Sequence, residues 1–175
     1  MNVVHLQQSV TGIKVREELG HFLLIDGDDS SEMFLMSSLF KHVIDTNEVV
    51  FLQRETQSNA DLIIFNGAVN PLGRKEIKQI KTAISHSKTE KIKLIMISEH
   101  DESIWHQWKS WKYEKQLRIQ ADSHLAVLNA SKLGLELLMH QCAYLAVSNL
   151  GHSHFNWNSA TESIELIIPN MACND

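Results

Sequence analysis

The sequence predicts an α/β protein built on a doubly wound parallel sheet of about five strands, with an added C-terminal β-hairpin. Short continuous apolar runs alternate with amphipathic segments, and only 7 Gly and 2 Pro interrupt the pattern. Continuous apolar runs are typical of strands that are buried on both faces, as in a parallel sheet covered by helices. Alternation of apolar and polar residues near the C-terminus predicts the hairpin.

The first buried strand is predicted over Phe22–Ile25, which ends at an acidic loop. Asp29 and Glu32 have the spacing of a capping box, so a helix is predicted to begin there. Apolar residues then recur at helical spacing and give this helix one apolar face. They are Met36, Leu39, Phe40 and Val43.

The remaining strands of the sheet are predicted from later apolar runs. These runs are Val49–Leu52, Leu62–Phe65, Leu94–Ile97 and His124–Leu128. Only eight residues, 53–60, separate the second and third runs, whereas a parallel crossover needs about a dozen or more. We therefore expect either a second helix of about one turn or a misplaced second strand.

Three more helices follow from caps and apolar spacing. The first has an apolar face and a basic face, formed by Ile77, Ile80 and Ile84 and by Lys75, Lys78 and Lys81. Asp101 is predicted to cap a helix that contains Ile104, Trp108 and Trp111. Ser131 is predicted to cap the last helix, with Leu135, Leu138, Cys142 and Leu145 facing the core.

The C-terminal segment has a different pattern. Phe155 and Trp157 alternate with Asn residues, and apolar residues alternate again over 164–168 after a polar loop. This pattern predicts an antiparallel hairpin that ends at Pro169. The expected organisation is an N-terminal extension (1–19), an α/β domain (20–148), and the hairpin with a tail (149–175).

Composition excludes several classes of protein. The 175 residues are 43% hydrophobic and 21% charged, which is typical of one globular domain and not of a disordered chain. Two Cys cannot form a disulfide scaffold, and the start of the chain lacks the pattern of a secretory signal. We therefore predict a cytoplasmic protein with no membrane partner. A net charge of −5 argues against a nucleic-acid partner.

Three of the predicted strands end in a short polar residue: Asp26, Asn66 and Ser98. Because the C-terminal ends of parallel strands share one edge, where ligand sites form, we expect these side chains to converge. In order and context the sequence resembles the receiver domains of response regulators. Residues 22–29 resemble the first strand and its acidic loop, 61–73 the phosphoacceptor strand, and 93–100 the fourth strand with Ser98 at the switch position.

This resemblance covers residues 20–148 and implies a flavodoxin/CheY-like fold of five strands and five helices. In that family a carboxylate accepts a phosphoryl group, Mg²⁺ is held by acidic groups, and a Lys and a Ser or Thr bind the phosphate. The sequence departs from this pattern at three positions. Asn66 stands at the acceptor, Gly27 at the second metal-binding carboxylate unless Asp28 substitutes, and Leu128 at the expected Lys.

A site with these departures lacks the charges that Mg²⁺ binding and phosphoryl transfer require. We therefore predict a pseudo-receiver with a degenerate phosphoacceptor pocket that includes Asp28 beside Asp26, Asn66 and Ser98. No cofactor, metal or catalytic residue is predicted. The expected function is a signalling or regulatory module that is independent of phosphorylation and acts through protein–protein interaction.

Two alternatives remain open. Asp26-Gly27-Asp28 after an apolar strand also resembles the first motif of haloacid-dehalogenase-type phosphohydrolases, in which the first Asp is the nucleophile. That family needs a late acidic pair to hold Mg²⁺, and no Asp after Ser98 is so placed. The other alternative is a receiver-like sensor of a small anionic or nucleotide ligand.

An aromatic segment predicts the partner-binding surface. Trp105, Trp108, Trp111 and Tyr113 are interleaved with basic residues. Such a segment suits single-stranded nucleic acid, a buried helix face or a protein interface, and Trp and Tyr often anchor interfaces. We expect a protein partner, including a second copy of the chain, on the face formed in receivers by the fourth helix, fifth strand and fifth helix. The pair His152 and His154 has no further ligand at a familiar metal-site spacing.

Overall fold

The structure, a computed structural model, describes residues 2–86, 92–108, 116–155 and 163–169. These residues form nine strands and five helices. The strands are β1 (Val3–Gln7), β2 (Lys14–Glu18), β3 (Phe22–Asp26), β4 (Val49–Gln53), β5 (Asp61–Asn66), β6 (Leu117–Ala121), β7 (Leu125–Ala130), β8 (His152–Phe155) and β9 (Glu165–Pro169). The helices are α1 (Gln8–Thr11), α2 (Ser30–Thr46), α3 (Arg74–Ile84), α4 (Glu102–Trp108) and α5 (Lys132–Val147).

The strands belong to two mixed sheets, so the prediction of a single flavodoxin/CheY-like doubly wound parallel sheet is wrong. The five-stranded sheet has the order β1-β4-β5-β7-β6, and the four-stranded sheet has the order β2-β3-β9-β8. Each sheet contains both parallel and antiparallel pairs. In the five-stranded sheet β1 and β4 are parallel, β4 and β5 antiparallel, β5 and β7 parallel, and β6 and β7 antiparallel.

The short connection between β4 and β5 explains part of this difference. Val50 pairs with Ile64 and Leu52 with Leu62 in antiparallel register. Antiparallel neighbours need no crossover helix, so the eight residues that are too few for a parallel connection are enough here. The predicted strand itself is correctly placed, but its direction relative to β5 is the opposite of the one expected.

The apolar run Leu94–Ile97, predicted as a buried strand, is not a strand. Residues 92–100 have no regular secondary structure, and Ile95 and Met96 are 64% and 52% exposed. The run is held to α2 by the Ile97 N–H, which donates to Ser38 Oγ at 2.8 Å. A run of four apolar residues is too short for periodicity to identify its structure.

One continuous apolar core joins one face of each sheet to helices α2 and α5. The largest buried side chains of α2 and α5 pack together with the inward residues of both sheets. The opposite face of the five-stranded sheet packs against α3, where Phe51, Ile63, Phe65 and Ile80 are buried. Because α5 is buried on most sides, its apolar residues do not form a single narrow stripe.

The predicted helix starts are confirmed. Asp29 caps α2 in a full capping box with Glu32, and Ser131 Oγ accepts the Gly134 N–H at the start of α5. Asp101 Oδ1 accepts the N–H groups of Ser103 and Ile104 at the start of α4. Local side-chain chemistry therefore determines where these helices begin.

Both ends of the described chain are integrated into the sheets. Residues 1–19, predicted as an extension, supply β1 to one sheet and β2 to the other. The predicted antiparallel hairpin is present as β8 and β9, and β9 also pairs in parallel with β3. Trp157 and the predicted loop 159–162 lie outside the described residues. None of the described helices is long and apolar enough to cross a membrane.

Candidate functional site

The residues of the predicted phosphoacceptor pocket lie on different parts of the fold. Asp26 ends β3 in the four-stranded sheet, whereas Asn66 ends β5 in the five-stranded sheet. Ser98 is exposed on the irregular segment that replaces the predicted fourth strand. The single parallel-sheet edge that was expected to bring these three side chains together is not formed by the described residues.

The two carboxylates near the end of β3 are each paired with a cation from β2. Arg16 Nη2 donates to Asp26 Oδ2 at 2.7 Å, and Lys14 Nζ donates to Asp28 Oδ1 at 2.6 Å. The hydrogen bond to Asp28 raises the pKa of Lys14 above its ordinary value. Asp26, the nucleophile of the phosphohydrolase hypothesis, is buried with its carboxylate held by Arg16. In the described part of the chain, no group of three or more His, Cys, Asp or Glu side chains could hold a metal ion.

Asn66 joins the end of β5 to the end of α2. Its Nδ2 donates to Asn47 Oδ1 at 3.3 Å, and its Oδ1 accepts the Ala68 N–H at 3.2 Å. Asn47 is the left-handed residue that ends α2, with φ of 56°, and its carbonyl accepts Asn70 Nδ2 at 2.6 Å. The hydrogen bonds of the Asn66 amide therefore have a structural role in this turn.

The described part of the predicted aromatic surface packs against α5. Trp105 stacks on Tyr144 of α5 with ring centroids 4.8 Å apart, and Trp108 stacks on His140 at 5.7 Å. Both Trp side chains are half-buried. Trp111 and Tyr113 lie outside the described residues. The described rings thus anchor α4 on α5.

Two histidines lie in this aromatic contact. The His100 ring meets Tyr144 edge-on at 5.2 Å, and neither of its ring nitrogens has a hydrogen-bond partner among the described residues. Burial lowers the pKa of His100. Burial and the nearby His100 ring lower the pKa of His140. These surroundings therefore favour the neutral form of both rings.

The feature that sequence reasoning missed is a groove beside α3, on the face of the five-stranded sheet opposite the main core. This α3 groove has a volume of about 620 Å³ and is open to solvent. It is lined by Arg74, Ile77, Lys78 and Lys81 of α3, by Gln120, Ala121, Leu125 and Val127 of β6 and β7, and by Asp122 and Ile164.

The groove continues into a second hollow of about 200 Å³ at the start of α3. Arg74, Ile77 and Val127 line both spaces. Arg118 and Asn129 are among the side chains that line only the second space. Asn129 packs so closely on the backbone after β5 that a Cβ at Gly67 would overlap its amide.

The rim of the groove is cationic. Arg74, Lys78 and Lys81 lie on the helix side and Arg118 on the strand side, with Asp122 as the acidic residue of the lining. The Asp122 carboxylate is engaged by the backbone N–H groups of His124 and Leu125, at 2.8 and 2.9 Å. This concentration of positive charge contrasts with the net charge of −5 of the whole chain.

The cations on the rim differ in their environments. Lys81 Nζ lies 2.7 Å from Asp61 Oδ2, a buried carboxylate at the start of β5. Arg74 and Lys78 are exposed on α3. They are therefore the residues of α3 best placed to meet an incoming anion, while Lys81 mainly balances Asp61.

The floor of the groove is apolar. Ile77, Leu125 and Val127 are half-buried, and Phe65 below them is 1% exposed. This combination of an apolar floor and a cationic rim binds molecules that carry both apolar groups and negative charge. The sequence showed the basic face of α3, but the facing residues of β6 and β7 become its partners only through the sheet order.

No family model, no curated protein and no solved structure matches the chain.

Proposed function

We propose that the protein is a binding module whose α3 groove takes an acidic, amphipathic segment of a partner protein. The observation that carries this proposal is the pairing of Arg74, Lys78 and Arg118 with an apolar floor in an acidic chain. As the sequence predicts, the proposed function is protein–protein interaction. The proposed partner-binding surface is the α3 groove and not the aromatic segment.

Charge supports an acidic partner. A chain of net charge −5 repels anions over most of its surface, so a local cationic rim orients an acidic segment toward one place. Complementary potentials of this kind raise association rates and suppress wrong partners. Arg74 and Lys78 are exposed and carry this effect on the helix side.

The apolar floor supports a peptide in preference to nucleic acid. Leu125, Val127 and Ile77 offer half-buried apolar surface to the anchor residues of an amphipathic segment. Single-stranded nucleic acid is bound through stacking on exposed aromatic rings. Phe65, the aromatic residue of the described lining, is 1% exposed and offers no stacking surface.

Fluorescence anisotropy with a labelled peptide of alternating Leu and Glu tests the proposal. We expect saturable binding that weakens with added salt, and a loss of at least about tenfold in affinity for Arg74→Glu and Lys78→Glu. Lys75→Glu is the matched control, because Lys75 is equally exposed on α3 but does not line the groove.

Several results would contradict the proposal. Equal loss of binding for Lys75→Glu would show that net charge, and not the groove, controls affinity. If a peptide of alternating Leu and Lys binds with the same affinity as the Leu and Glu peptide, the groove does not prefer acidic segments. Tighter binding of single-stranded DNA than of the acidic peptide would favour a nucleic-acid partner, and displacement of the peptide by a small phosphate ester would favour a small-anion sensor.

A further inference from the structure

The outer edge of β1 has backbone groups that no described residue pairs with. Val49 N–H donates to the Asn2 carbonyl at 3.0 Å, and Val3 pairs with Val49 in parallel register. Because alternate residues of a parallel strand bond to the same neighbour, the N–H and C=O groups of Val3, His5 and Gln7 point away from β4. Among the described residues, no backbone group bonds on that side to Val3, to His5 or to the Gln7 N–H, whereas the Gln7 carbonyl, at the N-cap of α1, belongs to the first turn of that helix.

The other three sheet edges are protected in different ways. β2 has four charged residues out of five, and its Val15 carbonyl accepts the Ala60 N–H at 2.8 Å. At β6, the Ile119 carbonyl accepts the Ile164 N–H at 3.2 Å. β8 has only four residues. Charge, chain coverage and short length are the usual means by which proteins prevent edge-to-edge pairing.

Within the described part of the chain, β1 has none of these protections. Its sequence, Val3-Val4-His5-Leu6-Gln7, contains no Asp, Glu, Lys, Arg or Pro. Leu6 is only half-buried although it packs against the core. An uncharged and partly apolar edge with free donors and acceptors is a template for another strand.

We propose that β1 pairs antiparallel with β1 of a second copy, about a two-fold axis through His5, so that two five-stranded sheets become continuous. In this register His5 faces its own copy, and Val3 faces Gln7 of the second copy. The outward N–H and C=O of His5 then pair with those of His5 in the second copy, and the Gln7 N–H donates to the Val3 carbonyl of the second copy. Registers centred on Val4 or Leu6 also place outward residues opposite each other, but they pair only Val3 with His5 or only His5 with Gln7 within the strand, so one of the three outward residues is left without a strand partner.

Side chains favour the same register. Val4 of one copy lies opposite Leu6 of the other, so that apolar residues on the core side of the sheet meet across the axis. The edge carries no charge, so two chains of net charge −5 can approach there without bringing like charges into direct contact. This self-complementarity is what an isologous interface requires.

The proposed interface is independent of the α3 groove. β1 is at one edge of the five-stranded sheet, whereas β7 and β6, which line the groove, are at the other. A dimer through β1 therefore leaves both grooves open, and either proposal can fail without the other.

Sedimentation velocity on the full chain over a range of concentrations tests this interface. We expect a monomer–dimer equilibrium that Gln7→Pro weakens at least tenfold, because Pro removes an outward donor and its ring obstructs the partner strand. Gln7 has φ of −90° and its N–H lies outside the β4 ladder, so the monomer tolerates Pro there.

Leu6→Lys, which places a charge on the edge, gives a second variant and is also expected to yield monomers. Leu133→Lys is its matched control, because Leu133 is an exposed leucine on α5, away from β1, and this variant should still dimerise. Far-UV circular dichroism of each variant checks that the monomer is folded.

A monomer at every concentration overturns the proposal. So does a dimer that both Gln7→Pro and Leu6→Lys leave intact, since its interface would lie elsewhere. A chain that stays monomeric but binds an added strand-forming peptide at β1 would assign this edge to a different partner. Concentration-dependent protection of the His5 and Gln7 amides from hydrogen exchange is the supporting result.

Discussion

Replacing Gly134 by Ala tests how the strand side of the α3 groove is held. Gly134 lies in the first turn of α5, where Ala is the better helix former by up to about 1 kcal/mol. A Cβ at this position would overlap the Gln116 carbonyl oxygen and lie 2.9 Å from Leu117 Cδ2. Gln116 leads into β6, which carries Arg118 and Gln120 to the groove.

The steric cost outweighs the gain in helix propensity. The carbonyl oxygen belongs to backbone that is itself fixed, because it accepts the Ser131 N–H at 2.9 Å, so it cannot rotate away. Overpacking costs about 1–3 kcal/mol, and an overlap with a fixed backbone atom belongs to the upper part of that range, about 2–3 kcal/mol, from which the gain of up to about 1 kcal/mol is subtracted. The expected net loss in the free energy of unfolding is about 1–2 kcal/mol, which corresponds to a decrease in Tm of about 2–8 °C for a chain of this length.

Thermal and urea unfolding followed by circular dichroism measure this loss. Gly151→Ala is the matched control, because a Cβ there meets no atom of the described residues within 4 Å, and we expect its stability to change by less than about 1 kcal/mol. A Gly134→Ala variant as stable as the wild type, or more stable, would refute the reasoning. It would mean that α5 does not approach the start of β6 as closely as described.

Three further predictions concern buried polar groups. Arg16→Gln leaves the buried Asp26 carboxylate without its cation and should lower the free energy of unfolding by about 1–3 kcal/mol in urea titrations, with Arg16→Lys recovering part of the loss. The pKa values of His100 and His140 are lowered in the folded state, so the unfolded chain takes up protons at a higher pH than the folded chain does. The free energy of unfolding should therefore be highest above about pH 6.5 and decrease as the pH falls through the lowered folded values. A Tm that does not change between about pH 7.5 and 5 contradicts this prediction. Cys142 is fully buried and burial raises the pKa of its thiol, so peptide mapping after iodoacetamide treatment should find it unlabelled in the native protein and labelled in urea.

Local features of the fold were predictable from the sequence. Asp29, Asp101 and Ser131 identify helix starts because their side chains accept backbone N–H groups within the next three residues. The runs that form β3, β4, β5 and β7 are visible as apolar segments. The antiparallel pairing of β8 with β9 follows from the alternation of apolar and polar residues in this segment.

The partners of each strand were not predictable in the same way. An apolar run such as Phe22–Ile25 has the same composition in a parallel or a mixed sheet, and nothing local assigns β3 to a different sheet from β5. β2 escaped detection because Val15 is its only apolar residue, as is usual for a charged edge strand. The exposed run at Leu94–Ile97 shows that apolar composition alone does not make a strand.

For the candidate sites too, the local features were predictable from the sequence and the long-range contacts were not. Asp26 and Asn66 end strands, as predicted, but the hydrogen bonds of each are local, with Arg16 and with Asn47. The basic face of α3 was visible as a lysine stripe. The groove needs β6 and β7 beside that stripe, and this proximity is a property of the sheet order and not of any short segment.

The parallel pairing of β3 with β9 has a consequence for how the chain folds. Phe22 pairs with Glu165 and Leu24 with Ile167, so strands from distant parts of the chain are neighbours in the four-stranded sheet. During synthesis on the ribosome, β3 emerges long before β9 exists, and one side of it stays open until residue 169 is made. Contacts between such distant residues are also slow to form, because a long loop must close first. A nascent chain therefore presents an unpaired β3 edge, and this is the stage at which chaperones would bind it and at which aggregation would begin.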